Sequence, residues 1–386
     1  MSDSITVVEP AIDPNNRIVF LLDWELTLKC NLDCEYCSTT GDIPGHDNST
    51  KHPPLDECLK TIDFMLAYAN IYMSLRPRSL RQVILNVYGG ESLHHPDIIT
   101  VLQQVHERHK QYSDKWNLTI TTTTNAIVTD KKIAKIIPLI DEFTTSYHTQ
   151  ASPKQKQQFK KNLLTIKSSG KRLKCIVLMH PELELFKDAE NMISWLEEHN
   201  IQYLSKPLDR ETYQTKFNYK THQIKWFKNM YQDKLFNSET ESFDLTQEDT
   251  AQGVDLSCRG RICCGGRQLH QNQNYKSREF FVENRFPDWY CSVNHFFLFI
   301  KQYTGNIFVN KDCRMNFQGS VGSIGNLKQA DLLLAETQNY VDTGTMPIIQ
   351  CKKSQCLCGL CAPKAQDLAT YKSIMRKYEI PTSNLL

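Results

Sequence analysis

Apolar residues cluster in six short runs in the first half of the chain, at 18–28, 83–88, 118–124, 143–148, 173–179 and 201–204. Each is short, rich in β-branched or aromatic residues and bounded by polar or turn residues, which predicts a strand. Between them the apolar positions change period. Leu55, Cys58, Leu59, Ile62 and Met65 recur at steps of three and four, as do Phe159, Leu163 and Ile166, the spacing of an amphipathic helix. Six βα-like units in succession predict an α/β fold of parallel strands with helical crossovers. The pattern leaves open whether they form an open doubly wound sheet or a full or partial barrel. From about residue 210 to 250 the chain turns polar and irregular (NSETESFDLTQEDTAQG). Beyond Cys258, short aromatic-rich pieces alternate with glycine turns. The pattern divides the chain into a core over 1–209, a bridge over 210–255 and a third region over 256–386.

Composition narrows the class. The 386 residues are 40% hydrophobic, as in an ordinary globular protein, and 45 basic residues nearly balance 43 acidic ones. No overall field points to a polyanionic partner such as nucleic acid. No apolar run reaches a membrane-spanning length, and the first residues have neither a basic n-region nor an apolar h-region, so the expected location is the cytoplasm. Eight lysines and arginines and no acid fall between Gln150 and Cys175. They read as the wet face of the helix around Phe159, with a docking surface for an acidic partner as the alternative.

Cysteine usage changes the picture most. Fourteen cysteines in a reducing compartment favour metal or redox chemistry over a disulfide framework. Cys58 sits on an apolar helix stripe and Cys175 inside a strand-like run, the pattern of core thiols. Cys30, Cys34 and Cys37 instead share one short loop, directly after the first strand-like run. Three thiolates from such a loop suit an iron–sulfur cluster. They would leave one iron of a four-iron cube without a protein ligand. A zinc knuckle using Cys34 and Cys37 would need ligands from far along the chain. The second strand-like run ends in Gly89-Gly90-Glu91. Two glycines there permit close backbone approach or positive φ, and a carboxylate accepts hydrogen bonds from an ammonium group.

Together the C-x3-C-x2-C loop, with Tyr36 before its last cysteine, and the GGE stretch resemble the motifs of the radical S-adenosylmethionine (SAM) enzymes. The resemblance implies a partial (β/α)6 TIM-like barrel. It implies a [4Fe-4S] cluster on Cys30, Cys34 and Cys37 whose open iron is chelated by SAM, with Gly89, Gly90 and Glu91 at the SAM amino group. Thr124-Asn125, ending the third strand, is similar to the family's TNG-like stretch, with Ala126 in place of the glycine. Ser146 and His148 match polar positions that the resemblance sets against the SAM ribose and carboxylate. The adenine is expected against the backbone near Tyr36 and a fifth-strand residue such as Val177 or Met179.

The rest of the chain carries nine cysteines: Cys258, Cys263, Cys264, Cys291, Cys313, Cys351, Cys356, Cys358 and Cys361. The spacing Cys291-x13-Gly305-x7-Cys313, the closing four-cysteine group and a hairpin-like piece from Phe297 to Phe308 resemble the SPASM or twitch domain of radical SAM enzymes. That implies one or two auxiliary iron–sulfur clusters with ligands among Cys258, Cys264, Cys291, Cys313, Cys351, Cys356, Cys358 and Cys361. With Cys263 and Cys264 adjacent, one thiol is spare and suited to hydrogen-atom donation. The closing group, C-x4-C-x-C-x2-C, departs from the usual spacing, and structural zinc is the alternative. The resemblance implies reductive SAM cleavage to a 5′-deoxyadenosyl radical that acts on a peptide or protein side chain, with a flavodoxin- or ferredoxin-type electron donor. A small metabolite or nucleoside substrate is the second reading, and a zinc-stapled binding protein the non-enzymatic one.

Overall fold

The computed structural model describes residues 7–8, 19–37, 51–77, 81–208, 219–230, 236–237, 242–243, 288–310, 313, 315–318, 320–352 and 364–377. The six strand-like runs become β1 (Val19–Thr27), β2 (Gln82–Gly89), β3 (Asn117–Thr124), β4 (Glu142–Tyr147), β5 (Arg172–Met179) and β6 (Gln202–Pro207). Helices α1 (Leu55–Ser74), α2 (Ile98–His109), α3 (Asp130–Ile136), α4 (Pro153–Ser168) and α5 (Leu183–Glu198) connect them. Each strand pairs in parallel with its neighbours in chain order, β1 to β6. This order settles the question the periodicity left open. A doubly wound sheet reverses its strand order at a switch point, whereas an unbroken 1-2-3-4-5-6 sequence winds one way, as in a (β/α) barrel.

The alternation of side chains shows which face carries chemistry. Phe20 stacks on Tyr72 of α1, with ring centroids 5.1 Å apart, so the even positions of β1 face the helix layer. The odd positions face inward, and there the chain places Asp23 and Glu25, both buried. Asn86 of β2 donates to Asp23 at 2.8 Å, and Thr121 of β3 donates to Asn86 at 3.3 Å. A polar ladder thus crosses three strands on the inner face, which an inert apolar core would not need.

The sheet continues at its other edge. Strand β7 (Phe297–Lys301) pairs in parallel with β1 and forms an antiparallel hairpin with β8 (Asn306–Phe308), the hairpin expected from sequence. β9 (Gly325–Asn326) follows, giving a nine-stranded sheet ordered β9-β8-β7-β1-β2-β3-β4-β5-β6. Within the stretch read as an irregular bridge lies helix α6 (Thr221–Met230). Its Trp226 and Phe227 pack edge-on against Phe186 of α5, so a short amphipathic turn hides inside a polar composition. Helix α7 (Ala330–Thr343) packs on α1, and α8 (Leu368–Lys377) closes the described chain.

The basic stretch behaves as a wet helix face. Lys156 pairs with Asp188 at 3.0 Å, Lys161 pairs with Asp130, and Lys160 lies over the Trp195 ring. Cys58 and Cys175 are fully buried in the two main hydrophobic cores, and burial pushes both thiols up to about 12. No helix among the described residues is long and apolar enough to cross a membrane.

Candidate active site at the carboxyl ends of the strands

The cysteine loop leaves β1 and folds across the carboxyl ends of the later strands. Its first half is fastened to the end of β3. Asn31 donates through Nδ2 to the Ile127 carbonyl at 3.0 Å and accepts from Asn125 Nδ2 at 2.7 Å. Its second half is fastened to β4 and β5. Tyr36 stacks on His148, with centroids 6.0 Å apart and planes within 3°, and Glu35 accepts from His180 Nε2 at 2.6 Å. Leu32, Cys34 and Tyr36 pack with Ala151, Ile176, Leu178 and Leu208 in one small core, against which Cys30 and Cys37 also lie. The loop buries its side chains because their targets are the inner-face residues of β5.

Within this core the thiols influence one another. Burial, the largest effect, pushes Cys30 up to about 12. The Leu32 N–H, 3.4 Å from Cys30 Sγ, pulls the other way, and nearby Glu91 and Cys37 add to the rise. Cys34 is pushed up to about 12 by burial and then by Cys37, with a hydrogen bond from Tyr36 opposing. Three thiols on one fastened loop, with an N–H aimed at one sulfur, fit a cluster that binds each thiolate at a different iron. Among the described residues no three His, Cys, Asp or Glu side chains surround a single-ion site. A four-iron cluster does not require one.

The GGE stretch is held against the start of this loop. Gly90 N–H donates to the Thr27 carbonyl at 2.7 Å, and Glu91 N–H donates to the Lys29 carbonyl at 2.9 Å. Both glycines answer to that contact. Gly89 has φ +149°, and a Cβ there would lie 2.1 Å from the Thr27 carbonyl oxygen; one on Gly90 would lie 2.3 Å from that of Leu28. The close approach is therefore to the neighbouring strand's own backbone. Glu91 is buried, and its carboxylate accepts from Leu93 N–H at 2.9 Å, the Thr124 hydroxyl at 2.6 Å and Asn125 N–H at 2.6 Å. Burial raises its pKa; the Thr124 hydroxyl, the two N–H groups and Lys132 oppose the rise.

Asn125 joins the two motifs. Its main-chain N–H holds Glu91, while its side-chain Nδ2 lies 3.7 Å from Cys30 Sγ. The Glu91 carboxylate and the Cys30 thiol, which follow separate strands, thus meet across one residue. The site resembles that of the radical SAM enzymes. The departure at Ala126 has a structural meaning: Ala126 adopts φ +52°, the left-handed region that favours glycine, so the backbone keeps the TNG-like turn without the glycine.

Comparison with known proteins adds solved structures only; no family model and no curated protein matches. The crystal structure of Streptococcus suis SuiB bound to S-adenosylmethionine is 14% identical, with a TM-score of 0.47, covering 85% of this chain and 68% of that one. A second SuiB structure is 16% identical at TM-score 0.47, over 82% and 65%. Native anSMEcpe with bound AdoMet is 11% identical at TM-score 0.47, over 83% and 82%. Likenesses of this strength assign no activity, so the reading of the site rests on its residues.

Of the radical SAM positions expected from sequence, Cys30, Cys34, Cys37, Tyr36, Gly89, Gly90, Glu91 and Asn125 come together as described. Ser146 pairs in register with Ile176, whose side chain packs on the cysteine loop, so Ser146 lies on the same inner face. Val177 and Met179 point the other way, into the core shared with Phe159 and Phe186. Ile176 and Leu178 are the β5 residues facing the loop. In a strand apolar on both faces, alternation carries no contrast to set its parity. Sequence reading set Thr124 in the TNG-like stretch but gave it no role; its hydroxyl fixes Glu91. It missed Asn31, next to Cys30, and His180, which fasten the loop.

In the third region, Cys291, Cys313 and Cys351 are all buried. Tyr290–Cys291 pairs with Ile349–Gln350 on one side and Lys364–Ala365 on the other, with Val7–Val8 beyond. Cys291 is opposite Ile349, and Cys351 N–H donates to Trp289 O, so Cys291 and Cys351 share one face of this small sheet. Cys258, Cys264, Cys356, Cys358 and Cys361 lie outside the described residues.

Proposed function

We propose that this chain is a radical SAM enzyme. The observation that carries the proposal is Asn125, bonded to Glu91 through its backbone and set beside Cys30 Sγ through its side chain. A reduced four-iron cluster, when bound, would supply one electron for the reductive cleavage of SAM to methionine and a 5′-deoxyadenosyl radical able to abstract hydrogen from an unreactive carbon. Cys30, Cys34 and Cys37 would hold that cluster. A carboxylate offers about four lone-pair sites, and Glu91 uses three on protein donors, leaving one for an incoming ammonium. Lys132, whose ammonium donates to the His95 carbonyl at 2.9 Å, is near enough to oppose the rise in Glu91's pKa. Ile176, Leu178 and Tyr36 keep water from the buried side of the loop.

The substrate is proposed to be a peptide or protein side chain, on the strength of the cysteine-dense third region. Cys291 and Cys351 on one sheet face are suited to a shared auxiliary cluster with ligands from the closing group. A flavodoxin- or ferredoxin-type protein is proposed as the electron donor. The test is anaerobic reconstitution with iron and sulfide, followed by dithionite and SAM. Formation of 5′-deoxyadenosine, lost in Cys34→Ala and Glu91→Ala, is expected, with roughly eight to twelve irons per chain if auxiliary clusters are present. Zinc in place of iron, with SAM left intact, overturns the proposal.

A further inference from the structure

At the end of β4 the ring of His148 presents Nδ1 to two groups of the cysteine loop at once. Nδ1 lies 3.3 Å from Cys34 Sγ and 3.2 Å from the Tyr36 hydroxyl. The ring is held flat against Tyr36, and Cys34 is buried. Cys30 has other neighbours: the Leu32 N–H at 3.4 Å, and Asn125 Nδ2 at 3.7 Å, which also donates to Asn31 at 2.7 Å. His148 thus brings a polar atom to a sulfur of the loop from outside it, at 3.3 Å, against 3.7 Å for Asn125 at Cys30.

We propose that His148 is a positioning residue that donates Nδ1–H to the Cys34 sulfur and thereby raises the reduction potential of the cluster carried by the loop. The inference rests on the radical SAM reading above. A cysteine bound to iron is a thiolate: it carries negative charge and has no proton to offer. A ring nitrogen 3.3 Å from it presents a proton, because a lone pair there would face like charge. A neutral ring satisfies this with its single proton on Nδ1, and a protonated ring carries one there as well, so the argument does not depend on the ring's charge. One-electron reduction places more negative charge on the cluster and its sulfurs. A hydrogen bond to Sγ then strengthens, stabilises the reduced form and raises the potential. Stacking on Tyr36 holds the ring in the orientation this requires.

The test uses the whole chain, reconstituted anaerobically and titrated with dithionite under electron paramagnetic resonance. Following the signal that changes on SAM addition separates this cluster from any in the third region. His148→Phe keeps a flat ring against Tyr36 but removes the donor. Its potential is expected to fall by about tenfold in the one-electron equilibrium, roughly 59 mV, with His148→Gln, which keeps an N–H, recovering part of the fall. A Phe variant with a full iron complement and the wild-type potential overturns the inference and leaves the radical SAM reading intact. A second measurement needs no variant. With 15N-histidine incorporated, pulsed resonance on the reduced wild-type cluster is expected to show a nitrogen coupling, and its absence overturns the donor role. If wild-type protein shows no SAM-responsive signal and Cys34→Ala loses no iron, the radical SAM reading falls and takes this inference with it.

Discussion

Gly89→Ala tests whether the two motifs meet through backbone contact. Gly89 is the last residue of β2, and its φ of +149° is one that L side chains rarely adopt. A methyl there would stand 2.1 Å from the Thr27 carbonyl oxygen and 3.0 Å from the Thr27 nitrogen. Neither neighbour is a flexible side-chain tip, so the end of β2 must withdraw from β1 by about 1 Å to reach an ordinary contact. That withdrawal strains or breaks the Gly90 N–H···O Thr27 and Glu91 N–H···O Lys29 bonds, now 2.7 and 2.9 Å. Backbone strain of about 1–3 kcal/mol, added to about 1–3 kcal/mol for buried hydrogen-bonding groups left unpaired, gives an expected loss of about 2–6 kcal/mol. The control is Gly170→Ala. Gly170 follows α4 with φ +74° but has nothing within 4 Å of a built Cβ, so only the left-handed cost of about 1–2 kcal/mol applies. Urea unfolding of both variants beside wild type isolates the crowding. Equal midpoints for the two variants would refute the reasoning. The same displacement carries Glu91 off Lys29, so Gly89→Ala is also expected to lose SAM binding while Gly170→Ala retains it.

Three further outcomes follow from the same geometry. Burial raises the pKa of Glu91 in the folded protein; between its ordinary value and the raised one the native state keeps a proton that the unfolded chain has released. Stability from this group therefore falls as pH rises through that window. Glu91→Gln should flatten the stability–pH profile there, and identical profiles would show that the carboxylate is not buried as described. Ala126→Gly relieves about 1–2 kcal/mol of left-handed strain but removes a buried methyl worth about 0.8 kcal/mol. A melting temperature within a few degrees of wild type is expected, and a large loss would contradict the φ of +52°. Asn162, fully buried on α4, donates to the Ala126 and Val128 carbonyls at 2.7 and 2.8 Å. Asn162→Leu leaves both carbonyls unpaired and should cost roughly 2–4 kcal/mol; a near-neutral result in chemical denaturation would exclude its role in bracing the turn after Asn125.

The sequence carried the strands and the two motifs because those signals are local. Six apolar runs mark β1 to β6, three thiols crowd one loop, and two glycines precede a glutamate. What it could not carry is relational. The pairing of β7 with β1 joins residues such as Phe297 and Leu21, and no local period encodes a partner that distant. Winding direction is likewise a property of the pairing list, so the periodicity left open the choice between an open sheet and a barrel, and only the resemblance of the motifs pointed to the barrel. The parity of β5 shows the limit most clearly. Its sequence, RLKCIVLM, is apolar at both alternating positions near its end, so Val177 and Met179 were as eligible for the pocket as Ile176 and Leu178. β4 differs, since Tyr147 packs on Phe159 in the helix layer, which turns Ser146 and His148 inward together. Once one anchor is known, the period of two assigns the rest. By that rule the weakest expectation from sequence, His148, belongs to the same inner row as Ser146, one step nearer the strand end. At that step the ring comes within 3.3 Å of Cys34 Sγ, so the row that carries Ser146 also reaches the cysteine loop.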